Sequence, residues 1–175
     1  MKEKLLKKLR SSDAFMKEEE EAEIIKKFTE PIVVSPPHWE MCELPLELEW
    51  KFEKFGKGNE DEIPDDYGGV YTFVVQPGIA NHPLCAYLFY VGKAEKQSFQ
   101  ERYGQYLATK KSKKTKWRHI RKMLNYWDGY LWFCYARIDN ESLITKIEQI
   151  LQDAYIPPYN EEFRGEAGPA IRVLR

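Results

Sequence analysis

The chain has 175 residues, 43% of them hydrophobic and 14% aromatic, and a formal net charge of −1. That is enough apolar material for one packed domain with an appendage, and too much for general disorder. No apolar run reaches the ~20 residues that a membrane-spanning helix needs, and the opening MKEKLLKKLRSSDAF lacks the apolar stretch and cleavage site of a secretory signal.

The cysteines Cys42, Cys85 and Cys134 are far apart and form no C-x-x-C pair. They read as reduced, buried thiols of a cytoplasmic protein, and with His38, His82 and His119 equally scattered no zinc site is expected.

In chain order, residues 1 to 29 read as a helix, capped by Ser12 or Asp13 before AFMKEEEEAEIIKKF, with Glu18 to Glu21 as its solvated face. Prolines 31, 36, 37 and 45 then break regular structure, and Trp39 and Trp50 are expected to anchor this arm on something apolar. From position 40 to 66 ten carboxylates stand against Lys51, Lys54 and Lys57. The polar stretch at 56 to 66 is the expected boundary, giving an N-terminal helical and proline-containing extension at 1–66 and a domain at 67–175. Within that domain GVYTFVVQ and AYLFYVG read as strands joined by PGIANHPLC. SFQERYGQYLATK follows as a helix with Phe99, Tyr103 and Leu107 on one face, and KTKWRHIRKMLNYW repeats the helical period through Trp117, Ile120, Leu124 and Trp127. GYLWFCYARI is apolar almost throughout, as a central strand buried on both faces would be. ESLITKIEQILQDAY closes the series as an amphipathic helix stopped by IPPYN. The expected fold is α+β: a small, mainly antiparallel three-stranded sheet flanked by helices in the order β-β-α-α-β-α.

Several side chains stand out. In the last helix Leu143, Ile147, Ile150, Leu151 and Ala154 form an apolar stripe that Glu148 borders, so its carboxylate is either half-buried and aimed at a site or a flank residue with no task. Arg102 and Tyr106, spaced i, i+4, share a helix face. Lys110, Lys111, Lys113, Lys114, Lys116, Arg118, Arg121 and Lys122 crowd one stretch without an acid, so the near-zero net charge conceals a basic region. Its two readings are a solvated surface and a phosphate-tracking face interleaved with Trp117 and His119.

GVY at Tyr71 and YVG at Tyr90, followed by Arg102, Glu148 and Asn160, resemble the GIY-YIG nuclease superfamily. YVGKA, the Arg102–Tyr106 pair and EQILQDAYIPPYN look like the N-terminal catalytic domain of the bacterial excision-repair nuclease. The resemblance covers residues 68 to about 163 and departs at one point: the connection between Tyr71 and Tyr90 is longer than is usual in the family. The surplus at 77 to 84 is read as an extended hairpin loop, shaping access or inert. The resemblance implies a metal-dependent endonuclease in which both tyrosines matter and Tyr106 takes a place where some relatives use histidine.

Phosphodiester hydrolysis needs those residue types. One Mg2+ or Mn2+ on Glu148 would polarise the phosphate and help the departing 3′ oxygen. Arg102 would clamp non-bridging oxygens through its planar fork. Tyr71 or Tyr90 would take a proton from water, with Lys93 favouring the phenolate. Asn160 would fix the loop, touch phosphate or cap the turn after Pro158. DNA is the expected substrate. Two other readings stand beside this one: a non-catalytic module of the same fold that binds nucleic acid or protein, and a defence or toxin nuclease whose N-terminal arm binds a protein partner and controls access.

Overall fold

Period-two alternation decides the sheet. In strand β2 (Gly69–Val75) Tyr71, Phe73 and Val75 join one apolar cluster, while Val70 joins another on the opposite side. β2 is buried on both faces because helices cover both. The structure, a computed structural model, describes residues 18–79, 85–161 and Gly168. It separates into two compact units, Met1–Pro31 and Ile32–Arg175.

The first unit contributes helix α1 (Glu18–Lys27), with Lys26 and Lys27 in its last turn, where cations complement the exposed carbonyls. The expected cap at Ser12 or Asp13 lies outside the described residues, as does the loop surplus from residue 80 to 84.

The second unit is α+β, with a four-stranded antiparallel sheet rather than the three strands expected. After a short helix α2 (Pro36–Glu40) come β1 (Trp50–Lys54), a 3-10 turn at Glu60–Glu62, β2, and β3 (Tyr87–Ala94). Helices α3 (Phe99–Lys111) and α4 (Arg118–Tyr126), strand β4 (Leu131–Arg137) and helix α5 (Glu141–Tyr155) complete it. The strand order is β1-β4-β2-β3. The additional strand, WKFEK, comes from the segment read as extension, and its neighbours Phe55 and Ile63 are core residues. Its alternation of aromatic and charged side chains is a strand pattern, obscured in the sequence by the prolines and carboxylates around it. Trp50 therefore stands on an edge strand, 39% exposed, and Phe52 beside it packs edge-on against Trp132 with ring centroids 5.8 Å apart.

One face of the sheet carries Tyr71, Phe73, Phe133 and Tyr135, covered by Phe99, Tyr103, Tyr106 and Leu107 of α3 and Ile120, Met123 and Leu124 of α4. On the other, Val70, Val91 and Ala136 meet Ile144, Ile147 and Leu151 of α5, with Leu44, Leu46 and Leu48 alongside. β4 is central, as its apolar run suggested, though Trp132 and Cys134 are only half-buried. α3 begins with a capping box: Ser98 Oγ accepts from Glu101 N at 3.1 Å, and Glu101 Oε2 accepts from Ser98 N at 3.0 Å. α4 starts one residue after Trp117, which stands outside the helix at 39% exposure instead of on its apolar stripe. Gly69 opens β2 at φ +153, where a Cβ would lie 2.2 Å from the Ala136 carbonyl oxygen; only glycine lets the strands close there. No helix among the described residues is long and apolar enough to cross a membrane.

Candidate active site

β3 is an edge strand, so side chains from both of its faces can meet at one margin of the sheet. A cavity of about 390 Å³ lies there. Its walls include Tyr90 and Lys93 of β3, Arg102 and Tyr106 of α3, Glu148 of α5 and Asn160 of the following loop. Six of the seven residues singled out from the sequence thus meet in one place. The seventh, Tyr71, is fully buried and supports the wall from beneath. A larger hollow of about 560 Å³, lined by Glu47, Glu49, Tyr67, Arg137 and Asp139 among others, contains none of the seven.

The phenols and the guanidinium form one cluster. Arg102 Nε donates to Tyr71 Oη at 2.8 Å, and the Tyr71 and Tyr106 hydroxyls lie 2.7 Å apart. Arg102 Nη1 donates to Gln105 Oε1 at 2.8 Å, and Gln105 in turn donates to Gln97 Oε1 at 2.6 Å. The guanidinium carbon lies 5.4 Å from the Tyr106 ring centroid and 5.3 Å from that of Trp117. Trp117 therefore shields the cation, by the same attraction that holds Arg over aromatic faces elsewhere.

Burial pushes the Tyr71 phenol far above its ordinary value, against the opposing pull of Arg102. Tyr106 and Tyr90 move the same way for the same first cause, with Glu148 adding to the rise at Tyr90. All three are neutral at pH 7.

Gly92 is what admits this cluster. A Cβ there would sit 2.5 Å from Tyr71 Oη, 2.6 Å from its Cζ and 2.7 Å from Tyr90 Cε1. Tyr71 cannot retreat, because it stacks on Phe133 at 5.0 Å. Gly92→Ala is expected to destabilise the protein by about 1–3 kcal/mol, the usual cost of overpacking. Chemical denaturation measures it; an unchanged midpoint would mean that the phenols have room to move.

Lys93 does not face the phenols. Three positions beyond Tyr90, it has the opposite parity on the strand and pairs with Glu148 Oε2 at 3.8 Å and Glu95 Oε2 at 3.1 Å, and it also donates to Thr145 Oγ1. It neutralises the carboxylate wall, and the cation that acts on the tyrosines is Arg102.

Glu148 itself has a side chain 16% exposed, at the margin of the apolar stripe formed by Ile144, Ile147 and Leu151. Among the described residues no group of three His, Cys, Asp or Glu side chains gathers to hold a metal. Of the two carboxylates on the cavity wall, Glu161 lies 2.8 Å from His119 Nδ1, so the candidate donor is half-buried Glu148. It suits a Mg2+ or Mn2+ that keeps most of its waters and takes its other ligands from phosphate, and it does not suit an all-protein cage.

Asn160 arrives by an unusual turn. α5 is capped by Ile156 at φ 46, a left-handed conformation that is costly for a β-branched residue, and Pro157 follows at once. The chain then runs along β3: Tyr159 N donates to the Phe89 carbonyl at 3.0 Å. Asn160 Oδ1 accepts from Val91 N at 2.9 Å, and Nδ2 donates to Val91 O at 2.8 Å. One amide satisfies both outward backbone groups of an edge-strand residue, as a neighbouring strand would. Of the roles open to Asn160, fixing the loop is the one its amide performs here.

The basic stretch splits. Lys110 Nζ binds Asp128 Oδ1 at 2.7 Å, and Lys122 lies over the rings of Tyr126 and Tyr159. Arg121 is partly buried, and its Nε makes no hydrogen bond among the described residues. Lys111, Lys113, Lys114, Lys116 and Arg118 are exposed.

The wall has further members, of which the sequence placed Trp117 and His119 only within the basic stretch. Trp117, His119, Thr145, Gln152 and Glu161 all line the cavity. His119 Nδ1 lies 2.8 Å from Glu161 Oε1, and Gln152 Nε2 donates to Val91 O at 3.4 Å. Thr145, Glu148 and Gln152, spaced i, i+3 and then i, i+4, share a face of α5, which was the available signal; the rest join only through tertiary contacts.

Comparison with protein-family models, with curated proteins and with solved structures gives no match for this chain.

Proposed function

We propose that the protein is a divalent-metal-dependent endonuclease of the GIY-YIG type that hydrolyses phosphodiester bonds in DNA. One observation carries the reading: Tyr90, Lys93, Arg102, Tyr106, Glu148 and Asn160, far apart in sequence, line a single cavity. A joint arrangement of phenol, guanidinium and carboxylate is what phosphoryl-oxygen binding beside a hard cation needs, and packing alone does not call for it.

In this proposal Glu148 is the residue to hold Mg2+ or Mn2+, which when bound supplies Lewis-acid charge at the phosphate. Arg102, its Nε fixed by Tyr71, presents its remaining donors to non-bridging oxygens. Tyr90 is the phenol that meets the cavity and can hydrogen-bond to water or phosphate, whereas fully buried Tyr71 is a positioning residue. Tyr106 completes the phenol network, and Asn160 holds the β3 edge in register. A cytoplasmic location, and a protein partner for residues 1 to 66, belong to the same proposal.

The exposed lysines next to Trp117 would track the backbone without reading sequence. Lys113, Lys114 and Lys116 changed together to alanine are expected to weaken binding to all sequences alike. Each lost phosphate contact should flatten the slope of log K against log salt by about 0.9 on duplex DNA. Unchanged affinity and slope would assign the stretch to solvated surface.

The test of the function is incubation of the purified protein with labelled duplex, flap and single-stranded DNA and with RNA, in Mg2+, Mn2+ or EDTA. Cleavage of a DNA form with metal, abolished by EDTA, is the expected result. The second reading, a catalytically silent binding module, draws on the buried, neutral phenols, and binding without cleavage in every metal would favour it.

A further inference from the structure

We propose that His119, oriented by Glu161, takes the proton from the attacking water in this cavity, so that the general base is an imidazole and not a phenol. The inference rests on the nuclease reading above and names the one group which that reading leaves open.

The proton needs a destination. Water oxygen forms a bond to phosphorus, the bond from phosphorus to the 3′ oxygen breaks, and the leaving alkoxide takes a proton from solvent. The attacking water must give up a proton to a nearby lone pair, which later releases it to solvent. The products are a 5′-phosphate and a 3′-hydroxyl.

Few groups on the wall offer such a lone pair at neutral pH. Tyr71 is completely buried and Tyr106 is 1% exposed, so neither phenol oxygen is open to a water in the cavity. Burial raises the Tyr90 phenol above its ordinary value, so it is neutral at pH 7 and a far weaker base than an imidazole. Lys93 is an ammonium held by Glu95, Glu148 and Thr145, and an ammonium has no lone pair. Gln149, Gln152 and Asn160 are amides, which are not bases.

Of the two carboxylates on the wall, Glu148 is the metal's residue in this reading and Glu161 is turned to His119 Nδ1, which leaves His119, whose geometry suits the task. It comes from the first turn of α4, lines the cavity, and has a side chain 27% exposed, enough for water to reach. Its Nδ1 lies 2.8 Å from Glu161 Oε1. An ionised carboxylate only accepts hydrogen bonds, so Nδ1 carries the hydrogen and the neutral ring keeps its lone pair on Nε2. This is the carboxylate–imidazole relation by which hydrolases fix a tautomer.

The charged and titratable groups sharing the cavity with the ring are Tyr90 and Lys93 from β3, Arg102 and Tyr106 from α3, Glu148 from α5, and Glu161. Burial lowers the imidazole's affinity for a proton and Glu161 raises it, with burial the larger effect. The ring is therefore neutral at pH 7 and able to accept.

Single-turnover cleavage with Mg2+ or Mn2+, followed across pH, tests the assignment, with substrate affinity measured separately in Ca2+. His119→Gln is expected to lower the rate by about a hundredfold or more, the range for loss of a general base. Affinity should be unchanged, and the fall in rate toward acid pH should disappear. Glu161→Gln removes the influence that raises the imidazole, so it should move that acid limb to lower pH. Glu161 has a side chain 64% exposed, so this second variant reports even if His119→Gln does not fold. A His119→Gln protein that cuts as fast as wild type, or a Glu161→Gln profile with an unmoved acid limb, overturns the assignment and leaves the nuclease reading standing. A wild-type protein that cuts nothing in any metal overturns both.

Discussion

Glu148→Gln is expected to lower metal-dependent cleavage by at least about a hundredfold, given that a Lewis-acid metal supplies several kcal/mol and each ~1.4 kcal/mol is tenfold in rate. Glutamine keeps the size of the side chain and its capacity for hydrogen bonds, and removes the charge. Because the side chain borders the apolar stripe of α5 without belonging to it, the fold should survive. Lys93 loses one partner but keeps Glu95 and Thr145. Affinity for nucleic acid should stay level or rise slightly as a negative charge leaves the phosphate site. Rates measured at saturating protein, with affinity from a separate titration, distinguish this from a binding defect. A variant as fast as wild type would remove Glu148 from the chemistry.

Arg102→Lys is the second large effect. Lysine preserves the charge and loses the fork, so it tests geometry and not Coulomb attraction. In wild type Nε is committed to Tyr71, Nη1 to Gln105, and the guanidinium carbon lies 5.3 Å from the Trp117 ring centroid and 5.4 Å from that of Tyr106. An ammonium on a flexible stem cannot reproduce both the Tyr71 bond and a planar approach to phosphate. Loss of a preorganised donor to a developing anion costs about 10²–10³ in rate, and a drop of that order is expected here. Stability should also fall by about 1 kcal/mol or more, because the buried Tyr71 hydroxyl loses its charged donor. Thermal or chemical unfolding of the variant, beside its single-turnover rate, reads both. A destabilised protein with full activity would make Arg102 a packing residue.

Much of this geometry follows from local patterns. β2, β3, β4 and helices α3 to α5 stand out because their apolar periods are long and their ends are marked by Ser98, Asn140 and the two prolines after Ile156. Tyr90, Arg102, Tyr106 and Glu148 share a cavity because each lies at the right phase of an element whose neighbours pack in order.

What the sequence hid depends on context. WKFEK has a strand's alternation, but its partner β4 lies some eighty residues further on, and nothing local announces that pairing. Lys93 stands beside Tyr90 in the motif, yet strand parity turns it the other way, toward Glu148 and Thr145 of α5 and Glu95. Trp117 has the spacing of a core residue, and α4 simply starts after it, which frees the indole to cover Arg102. The His119–Glu161 contact joins two segments that no period connects.

The proposed reaction is hydrolysis of a phosphodiester by water in the cavity beside β3. The most direct measurement is to incubate wild-type protein with labelled DNA and Mg2+ or Mn2+ in ¹⁸O-enriched water, with an EDTA control, and to analyse the ends. The expected result is metal-dependent scission that yields a 3′-hydroxyl and a 5′-phosphate carrying the heavy oxygen. Intact substrate in every metal, or ends bearing a 3′-phosphate and no label at the 5′ side, would contradict it.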